Sequence, residues 1–116
     1  MSRDYRLFLD DMKACCAKIA RYIGDMTYES FIADEKTFDA VVRNLEIVGE
    51  AAKHIPAEIK DRHIEVEWSK AAGIRDIIAH EYFGIDDEIL WDVVSNHIPR
   101  LATQLRDVIR LESDPS

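Results

Sequence analysis

The stretch YRLFLDDMKACCAKIARYIGDM, residues 5–26, decides the fold class. Its apolar side chains recur at steps of three and four residues, which is the spacing of one face of an α-helix. Charged side chains fill the positions between them, so the segment is predicted to be a surface helix with one buried face. Gly24 weakens its last turn, and the following DMTYES (25–30) is typical of a turn.

The middle of the chain repeats this pattern. A second long helix is predicted approximately from Glu35 to Ile55, with Asp34 as its N-cap. Pro56 should then begin a short helical turn, since proline favours the first helical position. A third helix is expected from near Ser69 to residues 80–82, with a glycine just beyond it as a stop signal.

The last helix begins after Asp86 or Asp87, either of which would cap it. Pro99 removes a backbone donor inside the pattern and should kink the helix. Residues 111–116 are expected to fray. Strict alternation does not persist anywhere, so strands have little support. We therefore predict an all-α, up-and-down four-helix bundle with a short extra helix and a kinked C-terminal helix, forming a single domain over residues 1–116.

Composition and charge limit the classes of function that the protein can have. The 116 residues include 33% charged and 47% hydrophobic ones, and neither a membrane span nor a targeting peptide is visible, so a cytoplasmic protein is expected. A net charge of −8 disfavours a protein that holds nucleic acid mainly by neutralising phosphates, unless a few arginines converge locally. Cys15 and Cys16 are adjacent and diverge on a helix, and no metal-ligand spacing occurs, so no metal is expected.

The stretch RDIIAHEYFG, residues 75–84, carries the candidate chemistry. On an ideal helix Arg75 and His80 point about 140° apart, whereas Asp76 and His80 share a face. Arg75 and His80 could border one cleft only if the helix tightens or ends near His80, or if the arginine side chain wraps around the helix. The site would then lie at a helix end.

An arginine and a histidine together fit RNA cleavage without a metal. A neutral imidazole can take the proton of a ribose 2′-hydroxyl, and a guanidinium can stabilise charge developing on the phosphate. A symmetric dimer would add a second His80 as the acid. Two plainer interpretations stay open on spacing alone: Asp76 and His80 as a surface pair, and Arg75 paired with an acid on a neighbouring helix.

RDIIAHEY resembles the Arg-x-x-x-x-His-x-Tyr signature of the HepT-like toxins, a branch of the HEPN superfamily of all-helical ribonucleases. The resemblance extends over three blocks in the same order as in that family, about half of the chain. These are VVRNLEIVGEAAKHIP (41–56), WSKAAGIRDIIAHEYFGID (68–86) and LWDVVSNHIPRL (90–101).

The resemblance implies a metal-independent endoribonuclease toxin of a type VII-like toxin–antitoxin pair, active as a homodimer with the motif at its two-fold cleft. Arg75 and His80 would form the ribonuclease centre, and Asp76 would fill a polar position that is often asparagine in the family. Tyr82 would be the regulatory tyrosine, to which an MntA-like nucleotidyltransferase antitoxin transfers AMP. The partner would use the ATP, and this chain would need no cofactor.

The rival hypothesis is a non-catalytic, substrate-binding subunit of a nucleotidyltransferase. The acidic charge and the lack of a phosphate-cradling glycine loop favour it. A purely structural helical module ranks last, because it would leave Arg75 and His80 without a purpose.

Four further site candidates and one glycine lie in one helical stretch, NLEIVGEAAK and the residue before it (43–53). Glu46 and Glu50 are one turn apart and could line the cleft or only the solvent face. Arg43 and Asn44 could be structural or near the cleft. Gly49 is expected to let a neighbouring helix approach closely.

Overall fold

In the computed structural model of the chain, the described residues are 4–81 and 87–113, without the side chains of residues 79–81. Every regular element in these ranges is helical, which confirms the all-α class. The helices are α1 (Tyr5–Ile23), α2 (Tyr28–Ala33), α3 (Glu35–Lys53), α4 (Ala57–Arg62), α5 (Trp68–Ala72), α6 (Ile74–Glu81), α7 (Asp87–Asp92), a π-helix (Val93–His97) and α8 (Ile98–Ser113).

Helix α1 forms where the apolar spacing predicts it. The Asp4 carboxylate accepts a hydrogen bond from the backbone N–H of Arg6 and caps the first turn. The helix ends at Gly24, whose φ of 49° and ψ of −121° suit only glycine. The buried face consists of Leu9, Met12, Cys15, Cys16 and Ile19.

The predicted turn at residues 25–30 is wrong in part, because α2 begins inside it. Thr27 caps the helix by accepting a hydrogen bond from the Ser30 N–H at 3.2 Å. The Ser30 hydroxyl oxygen accepts one in return from the Thr27 N–H at 2.9 Å. This reciprocal pair is a capping box with serine in the place usually held by glutamate, so the sequence pattern conceals it.

Helix α3 begins as predicted, with Asp34 accepting a hydrogen bond from the Thr37 N–H at 3.1 Å. It ends at Lys53, two residues short of the predicted Ile55. Pro56 takes an extended conformation as the N-cap of α4 and is not the first helical residue. The short helix that was expected after it is present.

The predicted third helix is two helices. Gly73 lies between α5 and α6 with φ −77° and ψ −5°. This ψ is roughly 40° from the helical value, which interrupts the hydrogen-bond ladder. Helix α5 begins at Trp68, and α6 ends at Glu81, inside the range predicted for the helix end. Gly84 and Asp86, expected as a stop signal and a cap, lie outside the described residues.

The last helix is also interrupted. The Ile98 N–H donates to the Val93 carbonyl, five residues back, so residues 93–97 form a π-helix directly before Pro99. Because proline has no N–H to donate, irregular backbone at this point agrees with the disturbance expected there. Asp87, the other expected cap, is the first residue of α7.

The four-helix arrangement is built around α1, which packs against α3 and α8. Helix α3 packs in turn against α5 and α6, so these two short helices together take the place of the fourth long helix. Among the residues that the structure describes, the largest fully buried side chain is Phe31 of α2. Within the two described ranges, no helix is long and apolar enough to span a bilayer.

The expected fraying from residue 111 is wrong for residues 111–113, because α8 continues to Ser113. The Glu112 side chain is 9% exposed. It accepts hydrogen bonds from Tyr5 Oη at 2.9 Å and Arg62 Nη2 at 2.7 Å, and it lies 2.6 Å from His63 Nε2. These contacts, with Arg62 foremost, lower the pKa of Glu112 to about 2. An ionised carboxylate only accepts, so His63 must carry its proton on Nε2.

Candidate functional site

Arg75 is the second residue of α6, two residues after the Gly73 break. Its stem lies directly against α3 at Gly49, where a Cβ atom would be 3.0 Å from Arg75 Cγ. That distance is shorter than an ordinary carbon–carbon contact, so a side chain at position 49 would have to move the arginine. The predicted role of Gly49, close approach of a neighbouring helix, is confirmed.

The head of Arg75 pairs with Glu50, the next residue on α3. Arg75 Nη1 donates to Glu50 Oε2 at 2.6 Å, a short charge-assisted hydrogen bond. Both side chains are about half exposed, at 50% and 51%. The plainer interpretation of Arg75, pairing with an acid on a neighbouring helix, therefore describes its contact.

Glu50 has a second partner. Its Oε1 lies 3.4 Å from Nε2 of His54, the C-cap residue of α3, one helical turn further on. The His54 ring stacks on Phe8 of α1, with ring centroids 4.6 Å apart and 12° between the planes. Hydrogen bonds from His54 first and Arg75 second lower the pKa of Glu50, which is therefore ionised at neutral pH. The four-residue spacing of Glu50 and His54 is the sequence signal for this contact.

His80 is placed by its backbone alone. Helix α6 is a regular α-helix from Ile74 to Glu81, so it does not tighten between Arg75 and His80. It ends one residue after His80, at a position that agrees with a site at a helix end. The His80 side chain and all of Tyr82 lie outside what the structure describes. Their predicted roles stay predictions.

Asp76 is exposed on the first turn of α6. Its backbone N–H donates to the Gly73 carbonyl at 3.0 Å. Its carboxylate forms no hydrogen bond or ion pair with any side chain that the structure describes. A contact between Asp76 and His80, suggested by their shared helix face, stays a prediction as well.

The other candidates on α3 do not reach Arg75 within the described part of the chain. Asn44 is 6% exposed and donates from Nδ2 to the Ala40 carbonyl at 2.9 Å, which suits a structural position. Arg43 is exposed and Glu46 is half-buried. Glu50 is therefore the α3 candidate that the fold brings to the arginine.

An apolar groove lies apart from these residues, between α5 and α6 on one side and the π-helix and α8 on the other. Its lining includes Ile74, Ile77, Val93, Ile98 and Leu101, and excludes Arg75, Asp76 and Glu50. The exposed Arg75–Glu50 pair is thus on open surface and not inside that groove. A large polymeric substrate needs such access.

Cysteine and metal chemistry find little support in the described residues. Cys15 and Cys16 are buried and unbonded, and burial raises the pKa of Cys16 to about 12. A thiol with that pKa is protonated at neutral pH and is a poor nucleophile. In residues 4–81 and 87–113, no three His, Cys, Asp or Glu side chains are arranged to hold a metal ion.

Comparisons with known proteins identify the family. The sequence model of the family described as "Ribonuclease HepT-like" matches residues 12–108. The "Probable ribonuclease HepT" of Thermococcus cleftensis is 40% identical over 101 residues, which cover 87% of this chain and 92% of that protein. "Putative RNase MJ0127" of Methanocaldococcus jannaschii is 38% identical over 108 residues, covering 93% and 89%. No solved structure matches the chain significantly. The chain therefore belongs to the HepT-like ribonuclease family.

Proposed function

We propose that this protein is a metal-independent endoribonuclease, in which Arg75 binds and stabilises the reacting phosphate and His80 transfers protons. The observation that carries the proposal is the placement of Arg75. Its side chain is half exposed beside α3, on the same eight-residue helix as His80. Membership of a ribonuclease family supports the reaction class, and the names of the two relatives agree with it.

The proposed reaction needs one base, one acid and one cation. Neutral His80 takes the proton from a ribose 2′-hydroxyl, and the resulting oxygen attacks the adjacent phosphorus in line. The bond from phosphorus to the 5′-oxygen breaks, leaving a 2′,3′-cyclic phosphate and a 5′-hydroxyl group. Arg75 stabilises the additional negative charge on the phosphate oxygens during attack.

The leaving oxygen must receive a proton, and a single neutral His80 has none to give at the start of a turnover. We propose that a homodimer supplies it, with the two α6 helices meeting at the two-fold axis and a protonated His80 of the second copy acting as the acid. The pH–rate profile should then be bell-shaped, with one limb for the base and one for the acid.

Regulation would act at Tyr82, two residues after His80. In this proposal, an MntA-like nucleotidyltransferase antitoxin transfers AMP from ATP to the tyrosine hydroxyl, releasing pyrophosphate. The appended phosphodiester would add bulk and negative charge that compete with the RNA phosphate for its site. The protein would then be the toxin of a type VII-like pair.

The experiment compares wild type, His80→Ala, Arg75→Ala and Tyr82→Phe on a fluorescent oligoribonucleotide, with and without EDTA. Cleavage by wild type that survives EDTA and falls at least about a hundredfold in both alanine variants is the expected result. Equal cleavage by wild type and His80→Ala contradicts the catalytic assignment. If wild type binds the RNA without cleaving it, the non-catalytic subunit is the better description.

The regulatory part has its own measurement. Wild type and Tyr82→Phe are incubated with the cognate nucleotidyltransferase and ATP, and their intact masses are compared. One added AMP on wild type, with parallel loss of cleavage, and none on Tyr82→Phe is expected. An equal gain of mass on both proteins removes Tyr82 from this role.

A further inference from the structure

Arg75 is oriented by two consecutive residues of α3. The missing side chain at Gly49 lets the arginine stem lie on the helix, and the carboxylate of Glu50 receives the guanidinium at 2.6 Å. A half-exposed arginine normally samples several rotamers. Here the stem and the head are each fixed by a contact to α3.

Glu50 is itself fixed from its other side. His54 lies 3.4 Å from its second oxygen, and the His54 ring is stacked on Phe8. The contacts thus connect α1 through α3 to α6, and each contacting group is anchored in a different helix or helical turn. An isolated surface ion pair lacks such support and is free to open.

Glu50 occupies only part of the guanidinium. A guanidinium has five N–H donors, and Glu50 uses one, at Nη1. Arg75 makes no other side-chain hydrogen bond to a described residue, and half of its side chain is exposed. The edge formed by Nε and Nη2 can therefore bind two oxygens of a phosphate while Glu50 holds the opposite nitrogen.

We infer that Glu50 is the positioning residue for Arg75: it holds the guanidinium by one nitrogen so that the remaining edge faces the phosphate of the substrate. This inference rests on the proposed ribonuclease function and deepens it. Glu50 touches Arg75 and takes no part in proton transfer. His54 supports Glu50 in turn.

Positioning by a carboxylate has a kinetic signature that mere stabilisation lacks. Removing Glu50 loosens Arg75, and misplacement of a catalytic group by about 1 Å can cost on the order of a hundredfold in rate. Removing it also takes a negative charge away from an anionic substrate, which should favour binding by a few-fold at most in water. The inference therefore predicts a lower kcat together with a KM that is unchanged or lower.

The test compares wild type, Glu50→Ala and Glu50→Gln in steady-state cleavage of an oligoribonucleotide. We expect Glu50→Ala to lose at least about tenfold in kcat without a rise in KM. Glu50→Gln keeps an amide oxygen that accepts from Arg75, so it should recover most of the loss. The matched control is Glu67→Ala, which removes exposed ion pairs with Arg100 (3.5 Å) and Lys70 (3.9 Å), neither of which involves Arg75, and should leave kcat and KM unchanged.

A second measurement does not depend on activity. The NMR signal of the Arg75 Nε–H group reports the order of the guanidinium. We expect a rigid, well-dispersed signal in wild type and Glu50→Gln, and an averaged, mobile one in Glu50→Ala. The same mobility in wild type and Glu50→Ala, or an unchanged kcat in Glu50→Ala, overturns the inference.

The two proposals can fail separately. If wild type cleaves no RNA but Arg75 still loses order in Glu50→Ala, the positioning stands and the ribonuclease function fails. If wild type cleaves RNA, His80→Ala does not, and Glu50→Ala matches wild type in kcat, the positioning fails and the ribonuclease function stands.

Discussion

Replacing Glu112 with glutamine should destabilise the protein strongly at neutral pH and weakly in acid. The carboxylate is 9% exposed and is held by Arg62, His63 and Tyr5. Glutamine has nearly the same shape, but its neutral amide loses the charge that strengthens these contacts and brings an NH2 group towards two donors. The expected loss of stability is therefore that of removing the charged acceptor from a mostly buried, charge-assisted hydrogen-bond network.

The pKa shift of Glu112 gives the size of the expected loss in stability. A fall from 4.5 to about 2 on folding corresponds to about 3 kcal/mol at about 1.4 kcal/mol per unit. Arg62 is 55% exposed, and solvent screens its share, so we expect a loss of about 2 kcal/mol in the free energy of unfolding at pH 7. For a domain of this size that lowers Tm by roughly 6–12 °C.

The sign of the pH dependence follows from the direction of the shift. A carboxyl group whose pKa is lower in the folded protein contributes its full stabilisation above the unfolded pKa, near 4.5. That contribution disappears as the pH falls towards the folded value of about 2. The difference between wild type and Glu112→Gln should therefore shrink to about a third or less of its neutral value near pH 2.5.

Urea unfolding of both proteins at pH 7, 4.5 and 2.5, followed by circular dichroism, measures this difference. Asp107→Asn is the matched control, because it removes an exposed ion pair with Arg110 on the same helix and should cost less than about 0.5 kcal/mol at each pH. A Glu112→Gln difference that is the same at pH 7 and pH 2.5, or no larger than that of the control, would refute the reasoning.

Two glycines give further predictions. Gly49→Ala should change the free energy of unfolding by less than about 1 kcal/mol, because the helix preference of alanine offsets the cost of displacing the Arg75 stem from α3. The kcat for RNA should fall, and an unchanged kcat would contradict the proposed fit of Arg75 on Gly49. Gly24→Ala should lower the free energy of unfolding in urea by about 1–3 kcal/mol and leave kcat unaltered, since φ 49° and ψ −121° are strained for any residue with a Cβ. No measurable loss of stability would show that the end of α1 relaxes without strain.

The long helices could be predicted because each carries its own evidence. Apolar spacing located α1 and α3, and Asp34 gave the start of α3 to the residue. The break at Gly73 could not be predicted, since the apolar pattern continues across this residue and an isolated glycine is tolerated within helices. Helix α2 was concealed because it is only six residues long and its capping box uses serine.

At the candidate site too, the sequence indicates contacts within one helix but not the contacts between helices. Spacing within one helix suggested that Asp76 and His80 share a face, but it could not reveal that Arg75 turns to Glu50, 25 residues earlier. Only the packing of α6 on α3 brings these side chains together. Likewise, a polar C-terminal stretch predicts fraying because its sequence does not show that Glu112 has partners at residues 5, 62 and 63.

The π-helix at residues 93–97 has a consequence for how this family can vary. A π-turn contains one residue more than the α-helical turn it replaces, so it is equivalent to a single-residue insertion that the helix has absorbed. Deleting one residue there would restore a continuous α-helix and leave α7 and α8 facing as they do, because the wider π-turn rotates the chain about as far as one α-helical turn with one residue fewer. A deletion within the regular part of α8 would instead rotate everything after it by about 100° and turn buried residues such as Leu105 and Val108 away from α1. Relatives that share this packing can therefore differ in length by one residue at the π-helix but not within α8.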